Sequence, residues 1–142
     1  MQLSWQVWAL LSASFAALTA IFAKAGVTGI DSDFATFVRT LVVLIALGGL
    51  LAATGKWRAG GSVPPGSYGF LLLSGLATGA SWLCYFRALQ MGDAGRVASI
   101  DKLSVLLVAV FGTVFLGERL STTNWFGIAL IASGAILVAQ RG

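Results

Sequence analysis

Four charged residues interrupt otherwise apolar segments of this sequence: Arg39, Arg87, Asp101 and Lys102. A charge inside a long apolar segment is costly unless it is paired or hydrated, so it usually faces a cavity, a pathway or an opposite charge. The three cations suit contact with a carboxylate or phosphate, and Asp101 suits gating or carrying a proton. A structural layer of salt bridges, or extension of the side chains to lipid headgroups, explains the same pattern. Both interpretations stay open at this point.

Two aromatic residues, Trp82 and Tyr85, lie close to Arg87 in the sequence. Rings that carry a polar group suit a pocket for an amphipathic organic molecule. Core packing would select the same residues, so the pattern alone does not separate the two. The candidate substrate contacts are Trp82, Tyr85, Arg87, Asp101 and Lys102, with Arg39 in reserve.

The composition gives little support to catalysis or metal binding. The chain has no histidine, and its single cysteine, Cys84, cannot form an intrachain disulfide or a Cys-based metal site. The nine Lys and Arg residues are scattered singly, so the net charge of +4 does not form a nucleic-acid-binding patch. We therefore expect no enzyme activity, no catalytic or metal-binding residues, no cofactor and no nucleic-acid partner.

Five long apolar stretches must position these candidates. They cover about residues 5–23, 34–54, 68–91, 97–116 and 124–139. Each approaches the roughly 20 residues that span a bilayer as a helix, and lipid leaves unpaired backbone groups without partners. The chain is 58% hydrophobic and only 10% charged, whereas soluble domains average about 25% charged residues. The sequence predicts an all-α, multi-pass helix bundle with five transmembrane helices and its two ends on opposite sides of the membrane.

The positive charges give a weak signal for orientation. We call the side that holds Met1 side one and the opposite side side two. The cations at clear helix ends are Lys56, Arg58 and Arg119 on side one, and Lys24, Arg96 and Arg141 on side two. Counting the cations within the spans favours side two only weakly. Such a bias fits a chain that inserts in both orientations, and equally a poorly patterned chain with one orientation.

Two glycines in the last stretch, Gly127 and Gly134, are separated by two helical turns and therefore share a helix face. Small residues let helices approach closely in lipid, where hydrophobicity no longer drives association. The contact lies either within one chain or between two subunits. We take Gly127 and Gly134 as candidate dimer-interface residues.

Residues 81–139 resemble the EamA-type domain of the drug/metabolite transporter superfamily. The resemblance depends on four groups of residues, which are specific only as a set. They are Tyr85 with Ala88-Leu89, Ile100-Asp101-Lys102-Leu103, Phe115-Leu116-Gly117-Glu118, and Gly127 with Gly134.

The resemblance implies a particular assembly. Most members of that family contain two five-helix domains in tandem, as inverted repeats around a central cavity, and residues 1–142 look like one such domain. Inverted repeats build their site at the repeat interface, so a homodimer, parallel or antiparallel, would supply the missing wall. The Gly127/Gly134 face is similar to the dimer-forming glycines of the small multidrug resistance proteins. Those proteins carry a proton-coupling Glu in the first helix, and the first span here has no acidic residue.

The resemblance implies a secondary transporter or facilitator of small metabolites in the bacterial inner membrane, with the bilayer and a small molecule as partners. Two alternatives remain open: a subunit of a carrier or flippase for lipid-linked molecules, and a non-transporting partner that completes another half-domain protein. A membrane enzyme ranks last, because no nucleophile and base are evident.

Overall fold

The computed structural model describes residues 4–57 and 63–140, and the secondary structure in this part of the chain is helical. Arg58 and Arg141, used above in the charge comparison, lie outside these residues. The helices are α1 (Trp5–Gly26), α2 (Ser32–Ala53), α3 (Pro65–Met91), α4 (Ala94–Asp101), α5 (Ser104–Phe115) and α6 (Thr122–Ala139). With α4 and α5 taken together, five segments are long and apolar enough to cross a membrane. The prediction of an all-α bundle with five spans is confirmed.

The helix ends are set by ordinary capping residues. Asp31 precedes α2, and its carboxylate accepts hydrogen bonds from the backbone amides of Asp33 and Phe34. This cap satisfies amides that the first helical turn leaves without partners. At the other end of α2, Gly55 adopts φ +66°, a left-handed conformation that glycine reaches without a Cβ penalty.

Most large apolar side chains are exposed on the chain by itself, as in a protein that faces lipid. Among residues 4–57 and 63–140 the buried side chains are mostly small, and the largest that are fully buried are Leu89 and Val27. Both lie near side two, Val27 just after α1 and Leu89 near the end of α3.

The chain divides into two compact units, and each is described by itself. One unit comprises Ala23–Gln90, and the other comprises Met1–Phe22 with Met91–Gly142. In the second unit, α6 packs against α4 and α5. The Arg96 guanidinium on α4 donates a hydrogen bond of 3.1 Å to the carbonyl of Ala139. Ala139 ends α6, so this contact satisfies one of the carbonyls that a helix end leaves without an intrahelical partner.

The fourth span differs from the sequence expectation, because it is two helices rather than one. Between α4 and α5 the backbone hydrogen bonds span three residues instead of four. The Leu103 amide donates to the carbonyl of Ile100 at 2.9 Å, and the Val105 amide donates to the carbonyl of Lys102 at 3.0 Å. These three-residue spacings are of the 3₁₀ type, which within a long helix often marks a hinge. We call residues 101–104 the span-four break.

Candidate functional site

The first group of candidate residues lies in the unit Ala23–Gln90, where Arg39 of α2 meets the aromatic face of α3. The Arg39 guanidinium carbon is 4.1 Å from the centre of the Trp82 ring and 5.4 Å from the centre of the Phe86 ring. A guanidinium over an indole is the strongest common cation–π arrangement in proteins. We call these three residues the Arg39–Trp82 stack.

The α3 side of this stack follows from helical spacing. Trp82, Phe86 and Leu89 are separated by four and then three positions, so they share one helix face. Phe86 and Leu89 on that face are buried, whereas Trp82 is half-buried. Tyr85, one position before Phe86, also lies near Arg39. The structure thus brings three predicted residues, Arg39, Trp82 and Tyr85, into one neighbourhood.

Arg87, also a predicted substrate contact, has a counter-ion in the same unit. Its Nη2 atom donates hydrogen bonds to both carboxylate oxygens of Asp33, at 3.0 Å and 3.1 Å. Asp33 lies in the first turn of α2, although the sequence pattern gave no reason to pair it with Arg87. This Asp33–Arg87 pair supports the salt-bridge interpretation for Arg87.

Two side-chain hydrogen bonds join the end of α3 to the last turn of α1 and to the connection between α1 and α2. Lys24 Nζ donates to the carbonyl of Leu89 at 2.6 Å, and Gln90 Nε2 donates to the carbonyl of Ile30 at 2.6 Å. The Leu89 carbonyl belongs to the last turn of α3, which lacks intrahelical donors. Lys24 therefore makes a structural contact with α3, in addition to being one of the side-two cations in the charge comparison.

The second group of candidates, Asp101 and Lys102, lies in the other unit at the span-four break. Asp101 is the last residue of α4, and Lys102 caps that helix. Lys102 Nζ and Asp101 Oδ2 are 3.9 Å apart, and both side chains are about half exposed. The sequence placed these charges inside a continuous helix, whereas the structure places them where the helix is interrupted. Discontinuous helices of this kind form ion and substrate sites in several transporter folds.

Glu118 was not a candidate, yet it makes a close contact at the end of α5. Its backbone amide donates to the carbonyl of Gly112 at 3.1 Å, and its side chain lies directly over that glycine. A Cβ added at Gly112 would lie 2.6 Å from Glu118 Oε2. The acidic side chain thus covers a position on α5 that has no side chain of its own.

The two candidate interface glycines leave open space beside α6. At both Gly127 and Gly134, an added Cβ would meet nothing within 4 Å among the described residues. Both positions are partly exposed. Likewise, within residues 4–57 and 63–140 no cluster of three or more His, Cys, Asp or Glu residues is arranged to hold a metal ion.

Five apolar helical segments, with cationic and aromatic side chains inside two of them, define a multi-pass membrane protein. Residues 3–140 match the model of the EamA-like transporter family, so the chain belongs to that family. It is a transporter of the EamA type.

The chain is similar to several bacterial proteins. It is 60% identical over 139 residues to a Sinorhizobium sp. protein named "Uncharacterized transporter in cobO 3'region", covering 98% of this chain and 99% of that one. It is 36% identical over 75 residues to the "Probable 4-amino-4-deoxy-L-arabinose-phosphoundecaprenol flippase subunit ArnE" of Pectobacterium atrosepticum, covering 51% of this chain and 64% of that one.

An uncharacterized transporter of Vibrio cholerae is 32% identical over 96 residues, covering 66% of this chain but only 30% of its own length. No solved structure matches the chain.

Proposed function

We propose that this EamA transporter moves small metabolites across the bacterial inner membrane as a homodimer, with a cavity between the subunits. The observation that carries the proposal is the Arg39–Trp82 stack, because it puts a cation and aromatic surface two turns inside a membrane-spanning helix. A cation is expensive in lipid and is retained where it meets a ligand, a pathway or an opposite charge, and aromatic side chains commonly line ligand pockets. Trp82, Tyr85 and Arg39 are its proposed substrate contacts.

We also propose Arg87, Asp101 and Lys102 as substrate contacts, and the argument for Arg87 differs from the argument for the other two. The Asp33–Arg87 pair is more than half exposed at both side chains, so Arg87 is accessible to a substrate as well as to its counter-ion. Asp101 and Lys102 are proposed because their helix is interrupted where they lie. Movement of α4 against α5 at that point would provide one step of alternating access.

Dimerisation is proposed from the family and from α6. Sites in transporters with inverted repeats form between two repeats, and residues 1–142 are proposed to form one such domain. The Sinorhizobium relative, itself named a transporter, is matched over 99% of its length by this chain. The open faces at Gly127 and Gly134 offer a surface on which a second α6 can pack closely.

The transport proposal is tested by reconstituting the purified chain in liposomes and measuring solute entry down a gradient. Amino acids, amines and lipophilic cations serve as the first panel, with protein-free liposomes as the blank. We expect flux that saturates with solute concentration and falls in Arg39→Gln. Lys56→Gln, which removes an exposed cation beyond α2, is the matched control and should retain flux. Absence of flux for the whole panel counts against transport by this chain alone.

Subunit orientation is tested by labelling single cysteines from outside the cell in a Cys84→Ser background. Thr28→Cys lies between α1 and α2, and Lys56→Cys lies beyond α2, so the two sites report opposite ends of a membrane-spanning helix. Labelling of both variants indicates insertion in both orientations, which an antiparallel dimer requires. Labelling of one variant alone indicates a single orientation.

A second candidate function is a subunit of a flippase for lipid-linked molecules. The observation that favours it is the similarity to the Pectobacterium protein named as a probable flippase subunit for a phosphoundecaprenol-linked sugar. In that case the functional assembly contains a different chain, which co-purification from the native host would reveal. A non-transporting partner of another half-domain protein predicts the same co-purification, but no translocation of lipid-linked molecules by the pair.

A further inference from the structure

We propose that the Arg39–Trp82 stack binds one anionic group of the ligand, a carboxylate or a phosphate. This proposal rests on the transport function proposed above and specifies the chemical class that the same site recognises. Three observations support it: the balance of charges in the unit, the geometry of the stack and the depth of Arg39 in the membrane.

The balance of charges singles out Arg39. The segment 23–90 contains only two acidic residues, Asp31 and Asp33. Asp31 caps α2 through the amides of Asp33 and Phe34, and Asp33 pairs with Arg87. Among the cations within the spans, Arg87 therefore has its own counter-ion. In the part of the chain that the structure describes, Arg39 forms no ion pair with a carboxylate.

The geometry leaves the hydrogen-bonding groups of Arg39 available. The guanidinium carbon lies 4.1 Å from the Trp82 ring centre, and Phe86 lies slightly farther away at 5.4 Å. Aromatic rings offer a guanidinium no hydrogen-bond acceptor of the carboxylate kind, and its N–H donors form a fork that matches carboxylate and phosphate oxygens. The rings thus hold the cation in place and leave an anion to complete its coordination.

The depth of Arg39 makes an anionic partner more favourable still. Arg39 lies two turns inside α2, about 10 Å from its first residue at 1.5 Å per residue. Charges that are partly removed from water interact more strongly than charges in bulk solvent. A charge-assisted hydrogen bond strengthens binding by roughly tenfold to hundredfold.

The anionic group has two possible sources, a soluble solute and a lipid headgroup, and the experiment separates them. The protein is prepared with Trp82 as its only tryptophan, by replacing Trp5, Trp8, Trp57 and Trp125 with Phe. Fluorescence is then measured during titration with inorganic phosphate and with succinate, with KCl keeping the ionic strength constant. In a second arm, the same protein is placed in phosphatidylcholine vesicles that contain either brominated phosphatidylglycerol or brominated phosphatidylcholine, which quench tryptophan at short range.

For a soluble anion we expect a saturable fluorescence change with phosphate or succinate. For a lipid anion we expect stronger quenching by the brominated phosphatidylglycerol than by the brominated phosphatidylcholine. In either case Arg39→Gln should weaken the effect at least tenfold. Arg39→Lys should weaken it less, because lysine keeps the charge and loses the planar fork. Lys56→Gln is the matched control and should behave like the parent protein.

Two results would overturn the proposal: no response of the parent protein to any of the three anions, or a response that Arg39→Gln leaves unchanged. If Arg39→Gln does not fold, by circular dichroism, the Arg39→Lys variant and the parent titration decide the question. Binding without flux in liposomes would refute the transport proposal alone. Flux without anion binding would refute this inference and leave the transport proposal standing.

Discussion

Asp33 and Arg87, on different helices, form a hydrogen-bonded ion pair in which one guanidinium nitrogen contacts both carboxylate oxygens, at 3.0 Å and 3.1 Å. Asp33 lies in the first turn of α2, and Arg87 lies one turn before the end of α3. Each charge is favourable at its own helix end, because the helix dipole is positive at the N-terminus and negative at the C-terminus. The pair therefore gives Arg87 a structural role. Arg87 differs in this respect from Arg39, which forms no ion pair with a carboxylate among the described residues.

Breaking this pair should lower the stability of the protein in detergent. Both side chains are more than half exposed, so we expect Asp33→Asn or Arg87→Gln to cost about 0.5–1 kcal/mol. Exchanging the charges, with Asp33→Arg and Arg87→Asp together, should recover only part of the loss, because each charge then opposes the dipole of its helix. The apparent melting temperature, followed by circular dichroism, measures these changes.

The matched control is Asp93→Asn. Asp93 is far more exposed and is 3.9 Å from its partner Arg96, so its removal should have a smaller effect. Equal losses for Asp93→Asn and Asp33→Asn would mean that the Asp33–Arg87 pair has no special role.

The membrane spans were predictable from the sequence because they depend on local composition. A run of apolar residues long enough for the bilayer specifies a helix whatever its neighbours are, and the five segments in the structure correspond to the five runs. Arg39, Trp82 and Tyr85 were proposed from residue type and position in the sequence, and they lie near one another in the structure.

The contacts that escaped prediction depend on distant parts of the chain or on backbone geometry. Asp33 and Arg87 are 54 positions apart, and no periodicity links them. The span-four break occurs in a stretch with neither proline nor glycine near it, so the sequence offered neither of the usual helix-breaking residues. Glu118 over Gly112 requires the chain to turn back after α5, which Gly117 permits at φ +68°.

Gly112 and Glu118 should show coupled effects in a double-mutant cycle. Replacing a helical glycine with alanine normally stabilises by about 0.5–1 kcal/mol. At Gly112 the new Cβ would lie 2.6 Å from Glu118 Oε2, so the flexible side chain must move and part of that gain is lost. We expect Gly112→Ala to stabilise the Glu118→Ala protein more than the parent protein. Thermal unfolding of the four proteins in detergent measures the difference.

Gly75→Ala serves as the control, because a Cβ at Gly75 meets nothing within 4 Å among the described residues. Its effect should be the same with and without Glu118. If Gly112→Ala also behaves identically in both backgrounds, the contact between Glu118 and Gly112 does not form in the protein.

Bulky residues at Gly127 and Gly134 should weaken the proposed homodimer without unfolding the chain. A Cβ added at either glycine meets nothing within 4 Å among the described residues, so a larger side chain can begin there without a clash within one chain. In lipid, close helix approach depends on small residues, and leucine would hold a second α6 away. We expect Gly127→Leu with Gly134→Leu to reduce dimerisation about tenfold, as measured by energy transfer between donor- and acceptor-labelled chains in liposomes.

The matched pair for this test is Gly75→Leu with Gly79→Leu on α3, where the space is equally open. That variant should retain the energy transfer of the parent. A loss from both pairs alike would indicate a general effect of bulk on the helices, and a loss from neither would place the dimer contact elsewhere or rule it out.

The charged pair at the span-four break should be what keeps α4 and α5 separate. Aspartate is a weak helix former whose side chain competes for backbone groups, and a charge in a membrane span gains by approaching water. Replacing both Asp101 and Lys102 with leucine should produce a continuous helix. The amides of residues 103–105 should then exchange with deuterium at least about tenfold more slowly, which corresponds to an increase of about 1.4 kcal/mol in the free energy of local opening.

Ser99→Ala, one turn earlier on α4, is the control and should leave exchange at the break unchanged. Hydrogen exchange followed by mass spectrometry in nanodiscs gives the rates. If the parent protein already exchanges as slowly at residues 103–105 as in the middle of α5, the break is no hinge, and the structural argument for proposing Asp101 and Lys102 as substrate contacts fails.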